Sequence, residues 1–174
     1  QNFGLNPVVA LNRFSFDSDE EIAFVREYCK QRGVQMAICE NFAKGGEGAL
    51  ELARLVIDEC ERAKELKFAY ELSDDTASKI EKIATKIYGA SEVVSEPEAQ
   101  KALQHIKTLG LERLNVCIAK TQYSFSSDAK LLGRPRDFSF EVSALEIRGG
   151  AGFIVAVSGS TMLMPGLPKV PAAE

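Results

Sequence analysis

Two short stretches combine aromatic rings, amides and charge in a pattern suited to holding a planar ring system. Asn12-Arg13-Phe14-Ser15-Phe16 follows the apolar run 8–11, and Glu40-Asn41-Phe42-Ala43-Lys44-Gly45-Gly46-Glu47-Gly48 follows the apolar run 34–39. Ligands of parallel α/β sheets bind beyond the carboxyl ends of the strands, where both stretches fall. A flat ligand could stack between Phe14 and Phe42. The competing reading makes both rings loop anchors packed on their own helices, and the residues alone favour that one. Lys44, Gly45 and Gly46 open a helix, where unpaired backbone N–H groups favour anions. Their order is not that of a GxxxxGK[ST] loop, so a phosphate site is only weakly indicated.

Other polar or glycine-rich stretches stay open between two readings. Gly149-Gly150-Ala151-Gly152 reads first as a turn. Lys120-Thr121-Gln122-Tyr123-Ser124 suits a site loop or an exposed edge. Lys130, Arg134 and Arg136 form a basic cluster that fits a solvated loop as well as an anion contact. With His105 as the sole histidine, a Ser/His/Asp or Cys/His site cannot be built from this chain. Cys29, Cys39, Cys60 and Cys117 lack CxxC spacing and read as reduced, buried thiols rather than metal ligands or disulfides.

The elements that must position these residues follow from hydrophobic periodicity. Residues 8–11 and 34–39 read as strands. Ser18 and Glu21 form a capping box for a helix carrying Ile22, Val25 and Cys29, and a second helix starts near Glu47. Alternating strands and helices imply a parallel sheet with covered faces. The charged connector 64–73 is the candidate boundary, giving segments 1–66 and 67–174. Beyond it, Ile80, Ile83, Ala84 and Ile87 stripe a helix ending at Gly89. Ser95 and Glu98 are expected to cap another helix, with Pro97 in its first turn. Residues 116–119, 138–142 and 153–157 read as strands, and helices before strands suggest an α+β unit with an antiparallel sheet. The proline-bearing tail 164–173 should be extended.

The chain has 174 residues, 45% hydrophobic and 26% charged, with net charge −4. No footprint for nucleic acid is visible, and no apolar run is long enough to span a membrane. No secretory signal is recognisable, so a cytoplasmic location is expected. The opening at Gln1 reads as the middle of a larger protein.

Taken in order, several of these stretches resemble one family. They are Val8-Val9-Ala10-Leu11-Asn12, the segment from Ala43 to Gly48, Ile83-Ala84-Thr85-Lys86-Ile87-Tyr88-Gly89-Ala90 and Ala119-Lys120-Thr121-Gln122-Tyr123-Ser124. Leu132-Gly133-Arg134-Pro135, Gly150-Ala151-Gly152-Phe153 and Met164-Pro165-Gly166-Leu167-Pro168 complete the set. The chain is similar throughout to the C-terminal portion of formate–tetrahydrofolate ligases.

The resemblance implies the end of a P-loop-like parallel sheet with flanking helices, followed by a smaller α+β unit. It implies an enzyme that uses ATP with Mg2+ to make formyl phosphate and then 10-formyltetrahydrofolate, activated by ammonium or potassium. Formate, tetrahydrofolate, ATP and an N-terminal half holding the triphosphate would be its partners, in a homo-oligomer. Phe14, Ser15 and Phe42 would bind folate. Lys44, Gly45, Gly46, Thr161, Pro165 and Gly166 would lie near the nucleotide or phosphate, and no metal ligand is assigned. The family usually has tryptophan at the position of Phe42 and often proline at that of Ser15. This segment alone is expected to be inactive. The alternative is a non-catalytic folate-binding or oligomerisation module.

Overall fold

The computed structural model describes residues 2–62 and 65–159, in two compact units, Gln1–Lys67 and Phe68–Glu174. Thr161, Pro165 and Gly166, with the rest of the proline-bearing tail, lie outside the described residues.

In the first unit, β1 (Val8–Asn12) pairs in parallel with β2 (Gln35–Cys39), Ala10 standing opposite Ala37. Helix α1 (Asp19–Gln31) makes the crossover. Ser18 caps it: its hydroxyl accepts from the Glu21 amide, and the Glu21 carboxylate accepts from the Ser18 amide at 3.0 Å. Ile22 and Cys29 are buried on α1, as are Ala37 and Cys39 on β2. After β2 come a four-residue helix α2 (Asn41–Lys44), a 3-10 turn (Gly45–Ala49) and helix α3 (Leu50–Glu61). No residue of α3 is fully buried, and Leu50, Val56 and Ile57 are exposed.

The second unit holds the larger core. Helix α4 (Thr76–Ile83), capped by Asp75, continues into a π-helical turn (Ala84–Tyr88) closed by Gly89 in the left-handed region. Strand β3 (Glu92–Ser95), α5 (Pro97–Thr108), β4 (Asn115–Ala119), β5 (Ser139–Val142), β6 (Ala144–Arg148) and β7 (Phe153–Val157) follow. Phe140 and Val142 alternate inward from β5. They join Ile80, Ala84, Ala99 and Ala156 in one cluster, with Tyr88 and Leu145 at its margin.

The strand arrangement corrects the expectation of an antiparallel sheet. β3 pairs with β5 in parallel and β4 with β7 in parallel, while β6–β7 is the antiparallel pair. Partners so distant in sequence leave no local signal of direction. Two further expectations change. The residue preceding α5 is Glu96, which makes no side-chain cap, so Ser95 belongs to β3 instead; Pro97, at the first position, has no N–H to cap. Cys29 and Cys39 are buried, whereas Cys60 and Cys117 are exposed.

Candidate functional site

The parallel register of β1 and β2 brings the two segments that leave their carboxyl ends side by side. The Arg13 amide donates to the Cys39 carbonyl at 2.9 Å, extending the pairing one residue past the strands. Beyond that point the chains diverge around a cleft of about 680 Å³. It is lined by Asn12, Arg13, Phe14, Ser15, Cys39, Glu40, Asn41, Phe42 and Ala43.

Phe14, Ser15 and Phe42 thus stand on one cleft. Neither ring is a packed anchor: Phe14 is 58% exposed and Phe42 fully exposed. Phe14 stacks on Phe16, with centroids 5.7 Å apart and planes 10° from parallel. Phe42 has no ring partner among the described residues. An Asp17 side chain accepts from the Phe14 amide at 2.8 Å and fixes the turn that carries Phe14.

The second wall is built around Glu40. Its amide donates to the Gly48 carbonyl at 3.1 Å, and its carbonyl accepts from the amides of Ala43 and Lys44. Gly48 allows this approach, because a Cβ there would stand 2.5 Å from the Glu40 carbonyl carbon. Gly45 turns the chain at φ 57°, ψ −138°, a conformation open to glycine.

Lys44 Nζ donates to Glu40 Oε2 at 2.5 Å, and this contact holds the Glu40 carboxyl below the usual carboxylate range. Arg13 lowers it further through its charge, while itself bonded to Asp19 at 2.8 Å. Lys44, Gly45 and Gly46 therefore flank the cleft without lining it, and the Gly45 amide already donates to the Asn41 carbonyl. Glu40 and Arg13 also line the cleft; both lie in the stretches singled out in the sequence, but neither was named there for a role. Their signal was position alone, one residue beyond each strand.

Among the described residues, no group of three or more His, Cys, Asp or Glu side chains could hold a metal ion. Likewise no described helix is long and apolar enough to cross a membrane. The polar stretch after β4 has a structural use: Lys120 donates to the carbonyls of Thr121 and Ser124 and lies over the rings of Tyr88 and Phe125.

The model of one protein family, described as formate–tetrahydrofolate ligase, matches residues 1–174. The chain belongs to the formate–tetrahydrofolate ligase family. The ligase of Campylobacter curvus (strain 525.92) is 69% identical over 173 residues, covering 99% of this chain and 32% of that protein. That of Campylobacter concisus (strain 13826) is 65% identical over 98% of this chain and 31% of its own length. The Parabacteroides distasonis ligase is 49% identical over the whole chain and 32% of its own length. The chain thus spans about a third of the curated ligases it matches.

Proposed function

We propose that this chain is the folate-binding segment of a formate–tetrahydrofolate ligase. The complete enzyme would phosphorylate formate with ATP and pass the formyl group of formyl phosphate to N10 of tetrahydrofolate. Phe14 and Phe42 would clamp the pterin, and Ser15 would border it. One observation carries this reading: two exposed rings share one cleft at the carboxyl ends of adjoining parallel strands. Phe42, exposed and without a ring partner among the described residues, does little for stability, whereas it offers a face to a flat ligand.

The part of the site that handles the triphosphate belongs, in this reading, to the remainder of the protein. The β1–β2 pair would be the end of its P-loop-like sheet. Phosphoryl transfer depends on positioning and charge neutralisation. Lys44, Gly45 and Gly46 would border the phosphates, with Lys44 keeping two ammonium hydrogens beyond the one given to Glu40. Thr161, Pro165 and Gly166 would contact the adenine. This reading assigns the metal of MgATP no ligand in this segment. Activation by ammonium or potassium, homo-oligomerisation and a cytoplasmic location belong to the same reading.

The test is Phe42→Ala in the full-length enzyme. Losing one stacking face, area included, weakens folate binding by about 2 kcal/mol, roughly thirtyfold. The KM for tetrahydrofolate should rise accordingly, with the KM values for ATP and formate and the melting temperature unchanged. An unchanged folate KM with a lower melting temperature would make Phe42 a packing residue.

A further inference from the structure

A ring gripped only by its two faces can still slide and rotate in its own plane. Stacking supplies affinity but little register. Acyl transfer to an amine requires the nucleophilic nitrogen to be placed closely, so the cleft needs a contact to the ring's edge. This step rests on the folate reading above.

A tetrahydropterin presents two adjacent donors on its pyrimidine edge, N3–H and the 2-amino group. The residues with polar side chains among those lining the cleft are Asn12, Arg13, Ser15, Glu40 and Asn41. Arg13 has donors only and is engaged by Asp19. An amide or hydroxyl offers a single acceptor oxygen. A carboxylate offers two side by side, the arrangement that receives forked donors. Glu40 is the one carboxylate in that lining.

We infer that Glu40 is a specificity-determining residue of this cleft, its carboxylate receiving N3–H and the 2-amino group and so setting the pterin's rotation between Phe14 and Phe42. Glu40 is also held in place through both its backbone and its side chain. Its backbone N–H and C=O are both bonded within the turn, and Oε2 is held by Lys44. Oε1 carries no hydrogen bond among the described residues, and Oε2 retains a second lone pair. The Lys44 ammonium and the Arg13 guanidinium keep the carboxyl ionised, so both contacts to the ligand are charge-assisted.

The experiment measures dissociation constants of tetrahydrofolate and of its 2-desamino analogue with full-length wild-type enzyme, Glu40→Gln, Glu40→Asp and Phe42→Ala. Wild type should bind the analogue on the order of tenfold to a hundredfold more weakly, the range for a hydrogen bond to a charged group. Glu40→Gln should bind both ligands about equally, and Glu40→Asp should keep the discrimination at lower overall affinity. Equal binding of the two ligands by wild type overturns the assignment without any variant needing to fold. So does full discrimination by Glu40→Gln. In either case, weaker tetrahydrofolate binding by Phe42→Ala leaves the stacking reading standing. If Phe42→Ala binds tetrahydrofolate as wild type does, the stacking reading itself fails, and the edge assignment with it.

Discussion

Glu40 and Gly48 touch through their backbones: the Glu40 amide donates to the Gly48 carbonyl, and the Gly48 Cα faces the Glu40 carbonyl with no room for a methyl group. A Cβ on Gly48 would lie 2.6 Å from the Glu40 oxygen and 2.7 Å from the Asn41 nitrogen. These are backbone atoms, and they yield only if the turn carrying Phe42 moves. Gly48→Ala should therefore destabilise the first unit by about 2 kcal/mol, the scale of overpacking a tight contact. Chemical denaturation checks the stability. In the full-length enzyme the folate KM should rise, since Glu40 and Phe42 shift with the turn.

The chain contains no tryptophan, so Phe42→Trp places its single indole at the cleft, where excitation at the red edge of indole absorption avoids the tyrosines. Its emission in the 174-residue chain should be that of an exposed indole, because Phe42 is exposed. Tetrahydrofolate should quench it saturably, unlike the steady loss produced by inner filtering. Quenching that never saturates would place the ring outside the binding site. The larger face should also hold folate at least as tightly as phenylalanine does.

Lys79 is fully buried in the second unit, where its ammonium donates to the carbonyls of Glu112 at 2.5 Å and Leu114 at 3.0 Å. Removing the donor in Lys79→Met should cost about 2 kcal/mol, as expected for hydrogen bonds to a charged group. Burial lowers the Lys79 pKa below 10.5, against the nearby carboxylates of Asp74, Asp75 and Glu112. Between the folded and unfolded values the unfolded chain binds more protons. The Lys79 contribution to stability therefore rises with pH across that window. Lys79→Met should lose this part of the alkaline slope, while Lys120, also lowered by burial, keeps its own. Urea denaturation at a series of alkaline pH values measures the difference.

Helix α4 begins at Asp75, whose side chain accepts from the Ser78 amide at 2.7 Å. Asp75→Ala should cost about 1 kcal/mol, as for other lost N-caps. That bond also lowers the Asp75 pKa below 3.8, so its contribution is present above 3.8 and fades as pH falls through the folded value. Asp74, lowered first by Lys82 and then by the Glu71 amide, behaves in the same way. Acid unfolding followed by circular dichroism should begin at higher pH in Asp75→Ala than in Asp75→Asn. The asparagine still caps the helix, whereas alanine leaves it with less stability to lose.

What the sequence revealed was mostly local. Ser18 and Glu21 announced α1, because a capping box is written within four residues. The site stretches were legible because βαβ connectivity places the ends of two neighbouring strands together. The mutual placement of the rings was not legible: whether Phe14 meets Phe16 or Phe42 is set by the Asp17 turn. Glu40 stayed hidden for a similar reason, since its role depends on a contact eight residues away that only Gly48 permits. The direction of β3 against β5 was hidden more deeply, because Val93 and Phe140 meet across much of the second unit.

That pairing has a consequence for the order in which the chain acquires structure. Cys117 stands opposite Val155, and Val93 opposite Phe140, so the two parallel pairings interleave along the sequence. Among the described strands of this unit, only β6 and β7 meet across a four-residue turn, where Arg148 faces Phe153. A hairpin of that kind closes within roughly microseconds, whereas distant parallel strands wait on slow loop closure. On the ribosome, β3 and β4 emerge long before their partners. The pairing edge of β3 remains open until residue 142 has been added and that of β4 until residue 157, which makes the second unit a late-closing passenger of its own synthesis.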